Sequence, residues 1–345
     1  MLVKLIKKGA EADIYTGMWN NSKSVFKIRK IKTYRNSLLD SKIRKQRTIK
    51  ESQVLSQVKS FGIPSPLVYF VNLEKSMIVM QDIPGKSVHD LSNSKIIEVS
   101  KEIGELVVKA AQAVDYTNLG TAEFLRADSG EFYFIEINAR LQVEHPISEM
   151  VSGLDFVKLQ LDIANGETLP FKQSDLKMNG YAIECRINAE DTFLDFAPST
   201  GPVPYVTIPS GPSVRCDTYL YPGCTVSPFY DSLMAKLCTW GKTFDESRLR
   251  MLSALDDFDI QGVETSIPLY KTILNSDEYK TGNLSTDFLK RFEMIEKLEK
   301  DLIEDRKDKQ IPAIASAIMH SEFYKSKVQS QNSRNQNWKN KMDSV

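Results

Sequence analysis

Residues 132–145 read Phe-Tyr-Phe-Ile-Glu-Ile-Asn-Ala-Arg-Leu-Gln-Val-Glu-His. In a β-strand, successive side chains point to opposite faces. From residue 136 onward, one face therefore carries Glu136, Asn138, Arg140, Gln142 and Glu144, and the other carries Ile135, Ile137, Ala139, Leu141 and Val143. Alternation alone suits any strand with one face in water. An unbroken polar row holding two carboxylates and a guanidinium points further, to a bound ligand.

The segments TAEFLR and EFYFIEIN read as a hairpin turned by Ala127-Asp128-Ser129-Gly130. A four-residue loop pairs Arg126 with Glu131 and sets Glu123 opposite Phe134, on the face of Glu136. The two glutamates become diagonal neighbours, about 7–8 Å apart at the backbone. With Asn138 they offer the oxygen-rich surroundings that Mg²⁺ takes when phosphates complete its shell. At about 3.3 Å per residue, Glu136 and Glu144 are too far apart to share one ion, so the row divides into two subsites. Arg140 presents a planar fork to a carboxylate or bicarbonate, Gln142 can bond the same anion, and Glu144, beside His145 and Pro146, is placed as a general base.

Outward from this row, residues 3–34 predict three short strands, 38–60 a helix ending at Phe61-Gly62-Ile63-Pro64, and LVYFV and SMIVM two more strands. An Ile-Pro-Gly break at 83–85 precedes a second helix over 96–114. Short strands and Pro/Gly turns over about 175–290 predict a compact mixed domain, followed by a charged surface helix, KRFEMIEKLEKDLIEDRKDK, and a polar tail. The 345-residue length predicts two or more packed units. Zero net charge conceals fourteen Lys or Arg against three acids in residues 1–50, a polarity that suggests separate origins or partners. Four widely spaced cysteines form no CxxC pair, which signals neither zinc nor a disulfide framework and fits the reducing cytoplasm. No apolar run approaches the roughly 20 residues of a membrane span, and the N-terminus lacks a signal-peptide core.

GTAEFL, FYFIEINARLQVEHPISEMVSGLD, GYAIECRINAED, the Pro-Ser-Thr-Gly-Pro run, SVRCDT and YPGCTVSPFYDSLMAKL together resemble the C-terminal part of a biotin carboxylase, over about residues 101–310. The resemblance implies an ATP-grasp ligase in which ATP phosphorylates bicarbonate and biotin captures the CO₂ released. It implies ATP and Mg²⁺ (or Mn²⁺) as cofactors, with Glu123, Glu136 and Asn138 on the metal. Arg140, Gln142 and the Val143 backbone would hold bicarbonate, Glu144 would be the base, and Arg215 would stabilise the enolate-like oxygen of biotin. Leu125, with Glu123 and Glu136, would line the nucleotide. No Ala-Met-Lys-Met-type attachment site occurs, so biotin is expected on a carrier protein, with carboxyltransferase subunits as further partners and a homodimer as the assembly.

Residues 1–100 resemble instead the N-lobe of the small atypical kinase of the KEOPS tRNA-modifying complex, through KKGAEADIY, VFKIRKIKTYR, LLDSKIRKQRTIKESQVL and MIVMQDIPG. Lys27, ending a V-x-K strand, would be its nucleotide lysine and Glu51 the helix partner. His89-Asp90-Leu91 begins like a kinase catalytic loop, but Asn93 follows too closely and no D-F-G occurs.

The fold class expected is α+β: a kinase-like N-lobe of antiparallel sheet plus helix over 1–100, the C-terminal part of an ATP-grasp domain over 101–172, a biotin carboxylase C-terminal domain over 173–290, and a charged helix with polar tail over 291–345. The two resemblances meet in KEIGELVVKAAQAV, inside a helix. Because the first hundred residues hold no Gly-rich phosphate loop, carboxylase activity is expected to be impaired. The alternatives are a KEOPS-type kinase or ATPase fragment, partnered by KEOPS subunits, and a catalytically silent chimera or dimerising module.

Overall fold

The computed structural model describes residues 4–9, 11–86, 93–127, 129–284 and 287–304. His89 and Asp90 lie outside the described residues, as does the tail from 305 onward.

Strands β1 (Lys4–Lys8), β2 (Ala12–Trp19), β3 (Ser22–Arg29), β4 (Val68–Asn72) and β5 (Met77–Gln81) form an antiparallel sheet in the order β1-β2-β3-β5-β4. The β2–β3 turn is tight because Asn20 and Asn21 adopt positive φ of 45° and 64°, the conformation of a type I′ hairpin. Helix α1 (Ser37–Ser60) starts where the Asn36 side chain accepts from the Leu38 and Leu39 N–H groups. Near its end, Leu55 and Val58 bury against Ile63, against Ala110 of α2 (Asn93–Ala113) and against Phe134.

Phe134 lies on the carboxylate hairpin, whose sheet runs β6 (Gly85–Lys86), β7 (Thr121–Ala127), β8 (Phe132–Asn138). The hairpin is fixed to the N-terminal half by packing and by the Phe134 N–H, which donates to the Pro64 carbonyl at 2.8 Å. Its register differs from the one expected. Arg126 pairs with Phe132 rather than Glu131, and Phe124 with Phe134, before a β-bulge shifts the ladder so that Glu123 faces Glu136 directly. Without the bulge, the Arg126–Phe132 register would set Glu123 against Ile135 and send the two carboxylates to opposite faces. The extra residue keeps Phe134 and Ile137 in one apolar cluster although they stand an odd number of positions apart.

Helices α3 (His145–Ser152) and α4 (Phe156–Ala164) lead to a second sheet of β9 (Tyr181–Asn188), β10 (Val214–Thr218) and β11 (Leu233–Gly241), in the order β10-β11-β9. One face is apolar: Ile183, Cys185, Ile187, Ala235 and Leu237 pack on Met251, Ala254 and Leu255 of α5 (Phe244–Asp257). The other carries Glu184, Arg186, Arg215, Asp217 and Lys236, alternating with the core residues as the pleat requires, and α3 packs against this side. The charged segment expected to lie on the surface does more than that. It is helical over 294–304 and buries Met294 and Leu298 against Phe288 and against Leu269 of α6 (Ile267–Asn275). The four cysteines are free thiols. Among the described residues, no helix is long and apolar enough to cross a membrane.

Candidate functional site

The polar row does not continue as one strand face. β8 ends at Asn138, and residues 139–144 form an irregular loop that enters α3 at Glu144. Pro146 near the helix start has no N–H to satisfy there, and the His145 ring nitrogen Nδ1 lies 2.8 Å from the Gln142 carbonyl. This turn folds the row back, so Arg140, Gln142 and Glu144 are placed by a loop and not by alternation.

The first subsite is the end of the hairpin. Glu123 and Glu136 are direct cross-strand partners, a relation that brings Cβ atoms to about 4.5–5.5 Å. The Asn138 amide donates to Glu123 Oε1 at 2.8 Å. Leu125, on the same side of β7 as Glu123, is 47 % exposed, leaving an apolar patch next to the carboxylates.

Lys27 of β3 enters this subsite from the N-terminal sheet. Its Nζ lies 2.7 Å from Glu136 Oε2 and 2.7 Å from Glu51 Oε1 of α1, and Glu51 also accepts from Arg29. Burial acts to lower the Lys27 pKa, but the charges of Glu51 and Glu136 outweigh it and hold the ammonium above its ordinary value. Among the described residues, no group of three or more His, Cys, Asp or Glu converges. The donor set is two carboxylates and an amide, a hard oxygen set suited to Mg²⁺ with phosphate or water completing the shell. The ammonium lodged on Glu136 shows that this carboxylate accepts a cation.

The second subsite is the loop. Arg140 Nη1 donates to Gln142 Oε1 at 2.9 Å and to the Leu141 carbonyl at 3.2 Å. Three groups on the C-terminal sheet hold the loop and α3. Arg186 Nη2 donates to Glu144 Oε2 at 2.7 Å, and Lys236 Nζ donates to the Val143 carbonyl at 3.4 Å. Arg215 forks onto Asp217 at 2.9 and 2.8 Å and reaches Glu149 Oε2 of α3 at 2.6 Å. Glu149 is buried, and its second oxygen accepts the Phe156 N–H at 2.8 Å, so one carboxylate fixes both the guanidinium and the start of α4. The Arg215 bonds hold the Asp217 carboxyl below its ordinary pKa, and burial raises that of Glu184. A cavity of about 740 Å³ bordered by Val143, Arg186, Tyr219 and Tyr230 opens beside the loop. Another of about 620 Å³ lies between Arg215 and Met150, Leu154 and Val157.

Arg186, Lys236, Glu149 and Asp217 were not singled out from the sequence. Arg186 and Asp217 stand inside the ECRINAED and SVRCDT motifs, yet their partners lie far away: Arg186 is 42 residues from Glu144, and Lys236 is 93 from Val143. The one signal available was the alternation of charge with apolar residues along β9, β10 and β11.

Two family models match the chain: the carbamoyl-phosphate synthase L chain ATP binding domain over residues 41–172, and the biotin carboxylase C-terminal domain over 184–291. The first match runs through residue 100 and includes α1 with Glu51. The chain is 40 % identical over 240 residues to a pyruvate carboxylase subunit of Methanothermobacter thermautotrophicus, covering 65 % of this chain and 49 % of that protein. It is 44 % identical over 199 residues to biotin carboxylase 1 of Bacillus subtilis, covering 57 % and 44 %. The chain thus spans about half the length of these curated relatives.

Among solved structures, the biotin carboxylase domain of Hydrogenobacter thermophilus 2-oxoglutarate carboxylase, in complex with MgADP and bicarbonate, aligns with a TM-score of 0.60 at 28 % identity, covering 70 % of this chain and 72 % of that one. The biotin carboxylase subunit of a pyruvate carboxylase aligns with a TM-score of 0.60 at 30 % identity, covering 72 % and 74 %. With both matched segments, the carboxylate hairpin and the C-terminal sheet in place, the chain belongs to the biotin carboxylase family.

Proposed function

We propose that this chain performs the chemistry of a biotin carboxylase-type ligase, the ATP-dependent carboxylation of biotin by bicarbonate. The observation that carries the reading is the end-to-end placement of the two subsites. Glu123, Glu136 and Asn138 close one strand end, and the loop with Arg140, Gln142 and Glu144 begins one residue later. A relative of this fold has been solved with MgADP and bicarbonate together.

In this reading, Glu123, Glu136 and Asn138 would hold Mg²⁺, which when bound neutralises phosphate charge. Leu125 borders the nucleotide. Arg140, Gln142 and the Val143 backbone orient the bicarbonate, Glu144 removes its proton, and Arg215, clamped by Glu149 and Asp217, presents its remaining N–H groups to the ureido oxygen of biotin. Biotin arrives on a carrier protein, carboxyltransferase subunits take the product onward, and a homodimer in the cytoplasm is the working form. We place domain boundaries near residues 100, 172 and 290.

Turnover is expected to be low. Lys27 is the one cation that pairs with the metal carboxylates among the described residues, and phosphoryl transfer needs its charge covered. The test is phosphate release from ATP measured with and without bicarbonate and free biotin. Stimulation by both, abolished in Glu144→Gln, is the expected result. Release indifferent to bicarbonate overturns the reading.

A second reading, a kinase-type ATPase of the KEOPS kind centred on the N-terminal sheet, is favoured by the Lys27–Glu51 pair alone. Bicarbonate-independent ATP cleavage that Lys27→Ala removes would select it.

A further inference from the structure

Lys27 precedes the first family-matched segment, which begins at residue 41, yet it meets the carboxylate at the centre of the proposed metal subsite. The contact bridges two separate sheets across 109 residues of chain. It is sheltered: the side chains of Lys27, Glu51 and Glu136 are 14, 10 and 34 % exposed.

The ion pair does not hold the sheets together by itself. The Phe134–Pro64 backbone bond and the Leu55, Val58 and Phe134 cluster set their separation. Lys27 is therefore kept near the subsite whichever anion it touches. Its two carboxylate partners are not equivalent. Glu51 keeps Arg29 as a second cation if Lys27 leaves, whereas Glu136 has Lys27 as its ion-pair partner among the described residues. Released by Lys27, Glu136 would need a replacement cation, and at 34 % exposed, against 10 % for Glu51, it is the carboxylate open to one.

A divalent cation bound at about 2.1 Å from Glu136 would sit within a few ångströms of the ammonium nitrogen. At that range, like charges repel strongly even when partly screened. We propose that Lys27 and the divalent cation are alternative occupants of Glu136: the ammonium closes the metal subsite in the empty protein, and an anionic nucleotide phosphate draws it off as the metal enters. The inference rests on the assignment of Glu123 and Glu136 to the metal. It makes metal binding weak without nucleotide and strong with it.

The test uses the full chain and Mn²⁺ as the probe, with affinity read by electron paramagnetic resonance of the free ion, first alone and then with ADP. Lys27→Met keeps the apolar stem and removes the charge. It is expected to bind Mn²⁺ alone about tenfold more tightly than wild type, from the removed repulsion, and Mn²⁺ with ADP less tightly. Lys27→Arg keeps the charge and should match wild type for Mn²⁺ alone. Lys30→Met removes one charge from the same half of the chain, where Lys30 pairs with Asp13, and should change nothing.

Unchanged or weaker Mn²⁺ binding in Lys27→Met overturns the proposal, as does an equal gain in Lys30→Met. If Lys27→Met fails to fold, Glu51→Gln serves instead. It leaves Lys27 to Glu136 alone and is expected to weaken Mn²⁺ binding severalfold, an effect that added ADP reverses; unaltered binding counts against the inference. Mn²⁺ affinity unaffected by both Glu123→Gln and Glu136→Gln removes the metal assignment itself, and the inference with it.

Discussion

The two sheets that flank the proposed site serve it in different ways. On the N-terminal side, the carboxylate hairpin meets α1 and α2 through a small apolar cluster and meets the sheet, among the described residues, through the Lys27–Glu136 ion pair. The C-terminal sheet buries one whole face in a large core and turns the other, lined with five charged groups, toward the loop and α3. On the first side, the residues that give stability and the residue that meets the site are neighbours in a thin interface. On the second they stand on opposite faces of the same strands, so stability and positioning can be separated by mutation.

The sharpest way to break that comparison is Phe134→Ala. Phe134 is 1 % exposed and joins the hairpin to α1 and α2. Its removal should cost about 3–5 kcal/mol, the range for an aromatic cut from a core. If the C-terminal core is independent, denaturant unfolding will divide into two transitions, with the later one unmoved. A single transition displaced as a whole would show one cooperative unit and end the contrast between the two sides.

How much of this was legible in the sequence follows the same division. Strands, helices and the carboxylate hairpin could be read because period-2 and period-3.6 patterns are local, and the notable error, the hairpin register, came from a β-bulge. A bulge adds one residue to one strand, and nothing in the Phe132–Asn138 sequence marks Ile135 as the extra one. The error was harmless because both registers put Glu123 on the side of Glu136. The straight strand expected through Glu144 was wrong for a different reason: Pro146 favours a helix start, and a chain entering α3 must turn first. The grip of Arg186, Lys236 and Glu149 on the loop and on Arg215 was beyond reach, since it depends on which sheet face meets α3, a tertiary fact. So was the meeting of Lys27 with Glu136, which joins two separate sheets across 109 residues of chain.

Glu149 tests the charged face more gently. Glu149→Ala removes the acceptor for both Arg215 and the Phe156 N–H. The expected loss is about 2 kcal/mol, the scale of hydrogen bonds to a charged group, read by urea unfolding. Glu149→Gln, which keeps an oxygen for Phe156, should recover part of it. A full loss in both would place the energy in the ion pair rather than the helix start.

Asp217 adds a pH signature. Its folded pKa is depressed, chiefly by the Arg215 bonds, so its stabilisation is present above the unfolded carboxylate value and is lost as pH falls through the lower, folded value. Asp217→Asn should therefore trail wild type by a constant amount from neutral pH down to about 5, with the gap closing below about 4. A gap that closes nearer pH 6 would point to another group.

The smallest effect on stability should come from Arg186→Gln, and it carries the contrast furthest. Arg186 and Glu144 are 46 and 55 % exposed, and an ion pair so open to water contributes less than about 1 kcal/mol. The melting temperature should hardly move, because the apolar face of β9 keeps Ile183, Cys185 and Ile187 in the core. The loop, however, loses the side chain that ties Glu144 to the sheet. Amide exchange at residues 139–144 should quicken while exchange in β9 and β11 stays as it was. Equal protection in wild type and variant would mean that α3 alone fixes the loop, and the charged face would lose its positioning role.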